Sequence, residues 1–150
     1  ERPLANGLGI DVSQAAIDIA IANASQMGLA NRAEFKCTSW VREIATKFDL
    51  ILCNPPYIPS SEIELLETEV RKYEPRLALD GGWDGLAAYR KIIPQLRRIL
   101  NRTGLAIFEL GLGQEGGVIS LAEECGLTTL AQPKDLSGHT RCLVIGLQNN

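Results

Sequence analysis

Short β-prone apolar runs alternate along this chain with segments of helical periodicity, and that alternation narrows the fold more than any other feature. Residues 8–12, Leu-Gly-Ile-Asp-Val, read as a strand. Ser13 then stands where an N-cap belongs, ahead of a helix over 14–27. Ala16, Ile17, Ala20, Ile21 and Ala24 fall at helical spacing, and Gly28 closes the segment. Residues 33–38 and 48–53 are expected to be strands. Residues 61–72 are acidic and read as a short helix or lid. A long helix is expected over 84–100, striped by Leu86, Tyr89, Ile92, Ile93, Leu96, Ile99 and Leu100, with Pro94 able to kink or break it. A turn at 101–104 precedes a strand over 105–110. A helix over 114–125 and strands over 127–132 and 141–147 complete the chain. Strand–helix–strand order implies an α/β domain with a largely parallel sheet. The last two strands have no helix between them and are expected to pair antiparallel. In such sheets ligands gather at the carboxyl ends of the strands. Two features sit there, Asp11 and the stretch Asn54–Tyr57.

Composition sets bounds on function. The 150 residues are one domain's worth, and 45% hydrophobic against 22% charged residues suffices for a core. Net charge is −3 and pI about 5.2. That balance argues against gripping many phosphates, so stable nucleic-acid binding is not expected. Cys37, Cys53, Cys125 and Cys142 show no Cys-x-x-Cys spacing, and His139 is the one histidine. No metal site is expected. The cysteines read as small buried hydrophobes of a reducing cytoplasm, and there is no apolar span of membrane length.

The apolar run Phe48–Cys53 ends abruptly in Asn54-Pro55-Pro56-Tyr57. Proline has no N–H and a fixed φ. Two in a row make a stiff turn that offers carbonyl oxygens and no donor. Asn54 adds a side-chain carbonyl and Tyr57 a flat face. The result is a rim of acceptors beside a stacking surface, suited to a planar NH2 group such as a carboxamide or the exocyclic amine of a base. Accepting both N–H hydrogens at Asn54 Oδ1 and the Pro55 carbonyl would orient that nitrogen and stabilise positive charge developing on it. No strong general base is needed, since the proton can leave after transfer.

Asn-Pro-Pro-Tyr after a buried strand resembles motif IV of the S-adenosylmethionine-dependent amino methyltransferases. The likeness continues through Tyr73-Glu74-Pro75, Ala78-Leu79-Asp80-Gly81-Gly82, Asp84-Gly85-Leu86 and Tyr89-Arg90. It goes on through Glu109-Leu110-Gly111, Gln114, and Lys134-Asp135-Leu136-Ser137-Gly138 with Arg141. This series is similar to the protein-(glutamine-N5) methyltransferases that modify peptide chain release factors. The resemblance covers essentially the whole chain. It implies a class I, Rossmann-like methyltransferase sheet with helices on both faces and an antiparallel last strand. It implies S-adenosylmethionine as cofactor and, as partner, a release factor whose Gly-Gly-Gln loop carries the target glutamine. Asn54 and Pro55 would hold the glutamine amide as the catalytic pair, with Pro56 and Tyr57 shaping its slot. Asp11 matches the acid that binds the cofactor ribose, and Trp40 the aromatic residue near the adenine. Asn54 would also border the cofactor.

The same resemblance implies a glycine-rich cofactor loop and a first strand ahead of residue 8, and a helical amino-terminal domain before them. These are expected to lie outside this sequence, which would then be a partial catalytic domain over 1–150. That first strand would run between the Asp11 strand and the Cys53 strand, so both are expected to show an unpaired edge. Ser39 stands where the family often has an acid. Other readings carry less. Gly111-Leu112-Gly113-Gln114-Glu115-Gly116 spells G-x-G-x-x-G, with Asp135 at ribose-acid spacing. Glu115 at the helix start opposes a pyrophosphate there. His139 reads as a turn residue. Glu62, Glu64, Glu67, Glu69, Arg71 and Lys72 read as a solvated face, with a substrate-facing flap as the rival. Glu109 ends a strand near the expected site and has no assigned role. The alternatives to glutamine methylation are a nucleic-acid amino methyltransferase, acting on adenine N6 or guanine N2, and an inactive fragment.

Overall fold

The computed structural model describes residues 2–148. The chain divides into two compact units, one up to Ile44 and one from Ala45 onward.

The first unit is one strand–helix–strand turn. Strand β1, Gly7–Asp11, pairs parallel with β2, Ala33–Cys37. Helix α1, Gln14–Gln26, crosses between them. Its N-cap is Ser13, whose Oγ accepts the Ala16 amide at 3.3 Å. Gly28, at φ +69°, ends it in the left-handed region. Ile17 and Ala24 are the buried residues of α1.

The second unit holds a four-stranded sheet in the order β3-β4-β6-β5. Strand β3, Phe48–Cys53, pairs parallel with β4, Leu100–Glu109. Strands β5, Leu127–Ala131, and β6, Cys142–Leu147, are antiparallel, as their direct succession predicted, and β6 is also antiparallel to β4. The expected turn at 101–104 survives as a bulge. One step on β3, from Phe48 to Leu50, spans Leu100 to Leu105 on β4.

One face of this sheet makes the core. Ala106 and Phe108 of β4 sit opposite Ile145 and Leu143 of β6, and all four are fully buried. Phe108, Leu143 and Ile145 each contribute roughly 1.5–3 kcal/mol by leaving water. The apolar stripe predicted over 84–100 lies on this core. Tyr89, Ile92, Ile93, Leu96 and Ile99 are buried. The helix itself is shorter and broken. It starts as α4, Ala87–Ile92, passes through a 3-10 turn at Ile93–Gln95, and resumes as α5, Leu96–Ile99. Pro94 has no N–H to continue the α-ladder, and its ring crowds the carbonyl four residues back. The start slips from 84 to 87 because Asp84 Oδ1 accepts the Leu86 amide and so makes a turn of its own. Helix α6, Glu115–Glu124, packs Val118 and Ala122 into the core.

Residues 61–72 form a 3-10 turn, Ile63–Leu65, and helix α2, Thr68–Tyr73. Their charged residues are exposed, with Arg71 reaching Glu64 at 3.4 Å. A one-turn helix α3, Arg76–Leu79, follows. Strand β1 pairs with β2 alone and β3 with β4 alone, so each keeps one edge without a partner among the described residues. On β3, Leu50 and Leu52 stay 51% and 71% exposed. No helix among the described residues is long and apolar enough to cross a membrane.

Candidate active site

The carboxyl end of β3 delivers Asn54, and the two prolines turn the chain off the sheet. Pro55 is buried, Asn54 exposed, and Pro56 and Tyr57 half-buried. Beyond Tyr57 the chain is zipped to residues 79–82. The Ile58 amide donates to Leu79 O at 3.0 Å, the Gly81 amide to Ile58 O at 2.8 Å and the Ser60 amide to Gly82 O at 2.8 Å. Asp80 Oδ1 reinforces this by accepting from Ser60 Oγ at 2.6 Å and from the Gly82 amide at 2.9 Å. Those bonds hold the Asp80 carboxyl below the usual carboxylate range, the Ser60 hydroxyl contributing most.

Tyr57 is the post of the turn. Its hydroxyl donates to Glu109 Oε1 at 3.0 Å. Its carbonyl accepts from Gln114 Nε2 at 2.8 Å. The Arg141 guanidinium lies 5.8 Å from the centre of its ring. Burial, then the bond to Glu109, raises its pKa. Glu109 is held by its backbone, since Tyr89 donates its hydroxyl to Glu109 O at 2.7 Å. Among the described residues, nothing hydrogen-bonds the Asn54 side chain or the Pro55 and Pro56 carbonyls. The next carbonyl, that of Tyr57, is tied down. Acceptors are thus left open where the two prolines predict a rim, and the chain is fixed immediately after it.

The rim borders an open cleft of about 560 Å³ lined by Leu52, Cys53, Asn54, Ile107, Glu109, Arg141 and Cys142. Its two thiols are held toward the neutral form. Burial pushes the Cys53 thiol up to about 12, and burial also raises Cys142. What the cleft offers is acceptors, one guanidinium and an apolar floor.

In the first unit, Asp11 is the last residue of β1 and exposed. Its Oδ1 accepts the Ser13 amide at 2.8 Å, which leaves Oδ2 without a partner among the described residues. Trp40 is half-buried and has φ +58°, a region that costs a bulky residue of order 1–3 kcal/mol. Asn54, Pro55, Pro56 and Tyr57 stand together in the second unit, and Asp11 and Trp40 belong to the first.

Sequence reasoning gave Glu109 no role and Gln114 and Arg141 none beyond a resemblance. Their signal was a polar residue at or just after a strand end, which does not say what it will meet. The G-x-G-x-x-G stretch is also explained. The Gly111 amide donates to Gln114 Oε1 at 3.0 Å, and Glu115 occupies the first turn of α6. His139 sits in the expected turn, where Asp135 Oδ1 accepts the Ser137 and His139 amides. No His, Cys, Asp and Glu side chains among the described residues form a group able to hold a metal ion.

Comparison with known proteins finds methyltransferases. Residues 1–64 match the UPF0020 family, described as an RMKL-like methyltransferase domain. The release factor glutamine methyltransferase of Caulobacter vibrioides is 47% identical over 99% of this chain and 52% of its own length. That of Rhodospirillum rubrum is 46% identical over 96% of this chain and 44% of its own. The chain therefore spans about half the length of the curated relatives it matches. Among solved structures, the ribosomal protein L11 methylase of Lactobacillus delbrueckii subsp. bulgaricus superposes with a TM-score of 0.67 at 21% identity, over 96% of this chain and 58% of that one. An S-adenosylmethionine-dependent methyltransferase of Clostridium acetobutylicum gives 0.66 at 12% identity, over 96% and 76%. The fold is that of the class I methyltransferases.

Proposed function

The chain is homologous to the release factor glutamine methyltransferases over nearly its whole length, and from that premise we propose that the protein methylates the side-chain amide nitrogen of the glutamine in the Gly-Gly-Gln loop of peptide chain release factors. Residues 1–150 are then part of the catalytic domain. One observation carries the reading: a pair of open acceptors, Asn54 Oδ1 and the Pro55 carbonyl, on a turn whose following residue is held at its carbonyl, hydroxyl and ring.

The residues of the first unit fit S-adenosylmethionine. Asp11 has a free carboxyl oxygen for ribose hydroxyls, and Trp40 a half-buried ring for the adenine. Held by Asp11 and Trp40, S-adenosylmethionine would supply an electrophilic methyl group and leave as S-adenosylhomocysteine. The chain's own residues do the rest. A glutamine amide donates its two hydrogens to Asn54 and Pro55, which aims the nitrogen's weak lone pair and stabilises the charge that develops as it attacks. Pro56 and Tyr57 wall the slot. The extra proton is lost to water after transfer, so no residue need act as a strong base.

The test is to incubate the protein with isotopically labelled S-adenosylmethionine and a release factor, then locate the label by mass spectrometry. One methyl on the Gly-Gly-Gln glutamine is expected. Label on an adenine- or guanine-bearing oligonucleotide, and none on the release factor, would replace this reading with a nucleic-acid methyltransferase. No transfer to either would leave the inactive fragment.

A further inference from the structure

We propose that Gln114 is a positioning residue, whose single amide clamps the acceptor turn in its working geometry. The inference rests on the methyl-transfer reading above and names a residue that reading does not use.

Gln114 immediately precedes α6. Its side chain forks. Oε1 accepts the Gly111 amide at 3.0 Å, and Nε2 donates to the Tyr57 carbonyl at 2.8 Å. One planar group thereby joins the turn after β4 to the turn after β3, 57 residues away. The fork has only one orientation. Gly111 N–H is a donor and Tyr57 O an acceptor, so a flipped amide would meet both the wrong way round.

Two glycines make the space that the fork occupies. A Cβ at Gly111 would stand 2.6 Å from Gln114 Oε1. A Cβ at Gly85 would collide with both Gln114 Nε2 and the Tyr57 carbonyl, the two atoms of the clamp. Gly85 also takes φ +76°, where only glycine is at ease.

The clamp controls the acceptors through the chain. Upstream, β3 fixes the rim at Cys53. Within it, the prolines fix φ at 55 and 56. The freedom left lies in the peptide planes up to Tyr57. Holding Tyr57 O, while Glu109 holds the Tyr57 hydroxyl, stops those planes from rocking. Acceptors that need no reorganisation at the moment of reaction stabilise developing charge best. Gln114 does not touch the substrate in this scheme, and its effect passes through Tyr57.

The experiment compares Q114A and Q114E with the parent protein. Q114E keeps the shape and the acceptor for Gly111, but sets an oxygen against the Tyr57 carbonyl. Four quantities are read: kcat for a Gly-Gly-Gln peptide, affinity for S-adenosylhomocysteine by calorimetry, thermal unfolding, and amide hydrogen exchange. In both variants kcat should fall by about tenfold or more, with cofactor affinity changed by less than about twofold. Exchange should quicken at Ile58 in both variants and at Gly111 in Q114A, which alone loses the Gly111 acceptor, and stay slow along β4 and β6. A role in stability alone would lower the unfolding temperature while leaving kcat per folded molecule unaltered, and that result overturns the proposal. Should Q114A fail to fold, the isosteric Q114E carries the comparison. If the parent protein does not methylate the peptide, the functional reading fails by itself. Hydrogen exchange then decides: quickening at Ile58 in both variants upholds the clamp, and unchanged exchange there removes it.

Discussion

Two strands of this chain end in turns that the proposed function uses, and the turns are held in different ways. After β1, the side-chain bonds are local, while the backbone is tied to the end of β2 by the Thr38 amide on Asp11 O at 2.8 Å and by Cys37 Sγ on Val12 O at 3.4 Å. Asp11 Oδ1 accepts the Ser13 amide, and Ser13 Oγ accepts the Ala16 amide. After β3, the bonds come from far along the chain. Tyr57 reaches Glu109 across 52 residues and Gln114 across 57. The side-chain bonds of the first turn can form as soon as its strand and helix do. The second has its geometry only once β4 is in the sheet and α6 has started. The difference matches the proposed tasks. A ribose hydroxyl is satisfied by one well-placed oxygen. An amide that must attack needs two acceptors fixed relative to each other, and fixing them takes tertiary structure.

Four variants test that contrast. N54A removes an acceptor from the non-local turn and should lower kcat by about 10²-fold, of order 3 kcal/mol of barrier, with little change in unfolding temperature. Single-turnover methyl transfer measures it. G85A attacks the clamp's surroundings. With φ +76° and no space for a Cβ, it should lose roughly 2–3 kcal/mol of stability in urea unfolding. An unchanged midpoint would show that the second turn is looser than its packing implies. D11N keeps an oxygen for the Ser13 amide and removes the carboxylate. Cofactor affinity should drop about tenfold, near 1.4 kcal/mol, by calorimetry. A loss of fold instead would mean that Asp11 serves the helix and not a ribose. S13A should cost about 1 kcal/mol through the lost cap alone. Hydrogen exchange should place that loss in α1 and leave Ile58 and Gly111 as slow as before. Spread to those amides would abolish the distinction between local and distant support.

The secondary elements were largely legible because they rest on local rules. Ser13 and Gly28 bound α1 within a residue of where cap chemistry places them. The apolar stripe from Tyr89 to Ile99 is legible in the sequence, yet the helix that carries it is shorter than the stripe implies. Asp84 takes its own turn before the helix starts, and Pro94 divides it. Both are local effects, but which of several permitted responses a proline or an Asp-Gly pair adopts depends on what packs above it. The turn at 101–104 became a bulge inside β4 because pairing with β3 and β6 carried the strand past it.

By itself the sequence determined an α/β chain with an antiparallel end and a stiff turn of carbonyl acceptors after its third strand. Those features follow from side-chain periodicity and from proline's missing N–H, which act within a few residues. Only the tertiary structure decided that Glu109 and Gln114 stand behind Tyr57, that Gly85 must be bare to let them meet, and that the Tyr57 carbonyl is tied while the Pro55 carbonyl is open. No spacing rule links residue 57 to residues 109 and 114. Their meeting is set by the parallel pairing of β3 with β4, which brings two distant strand ends to the same edge of the sheet.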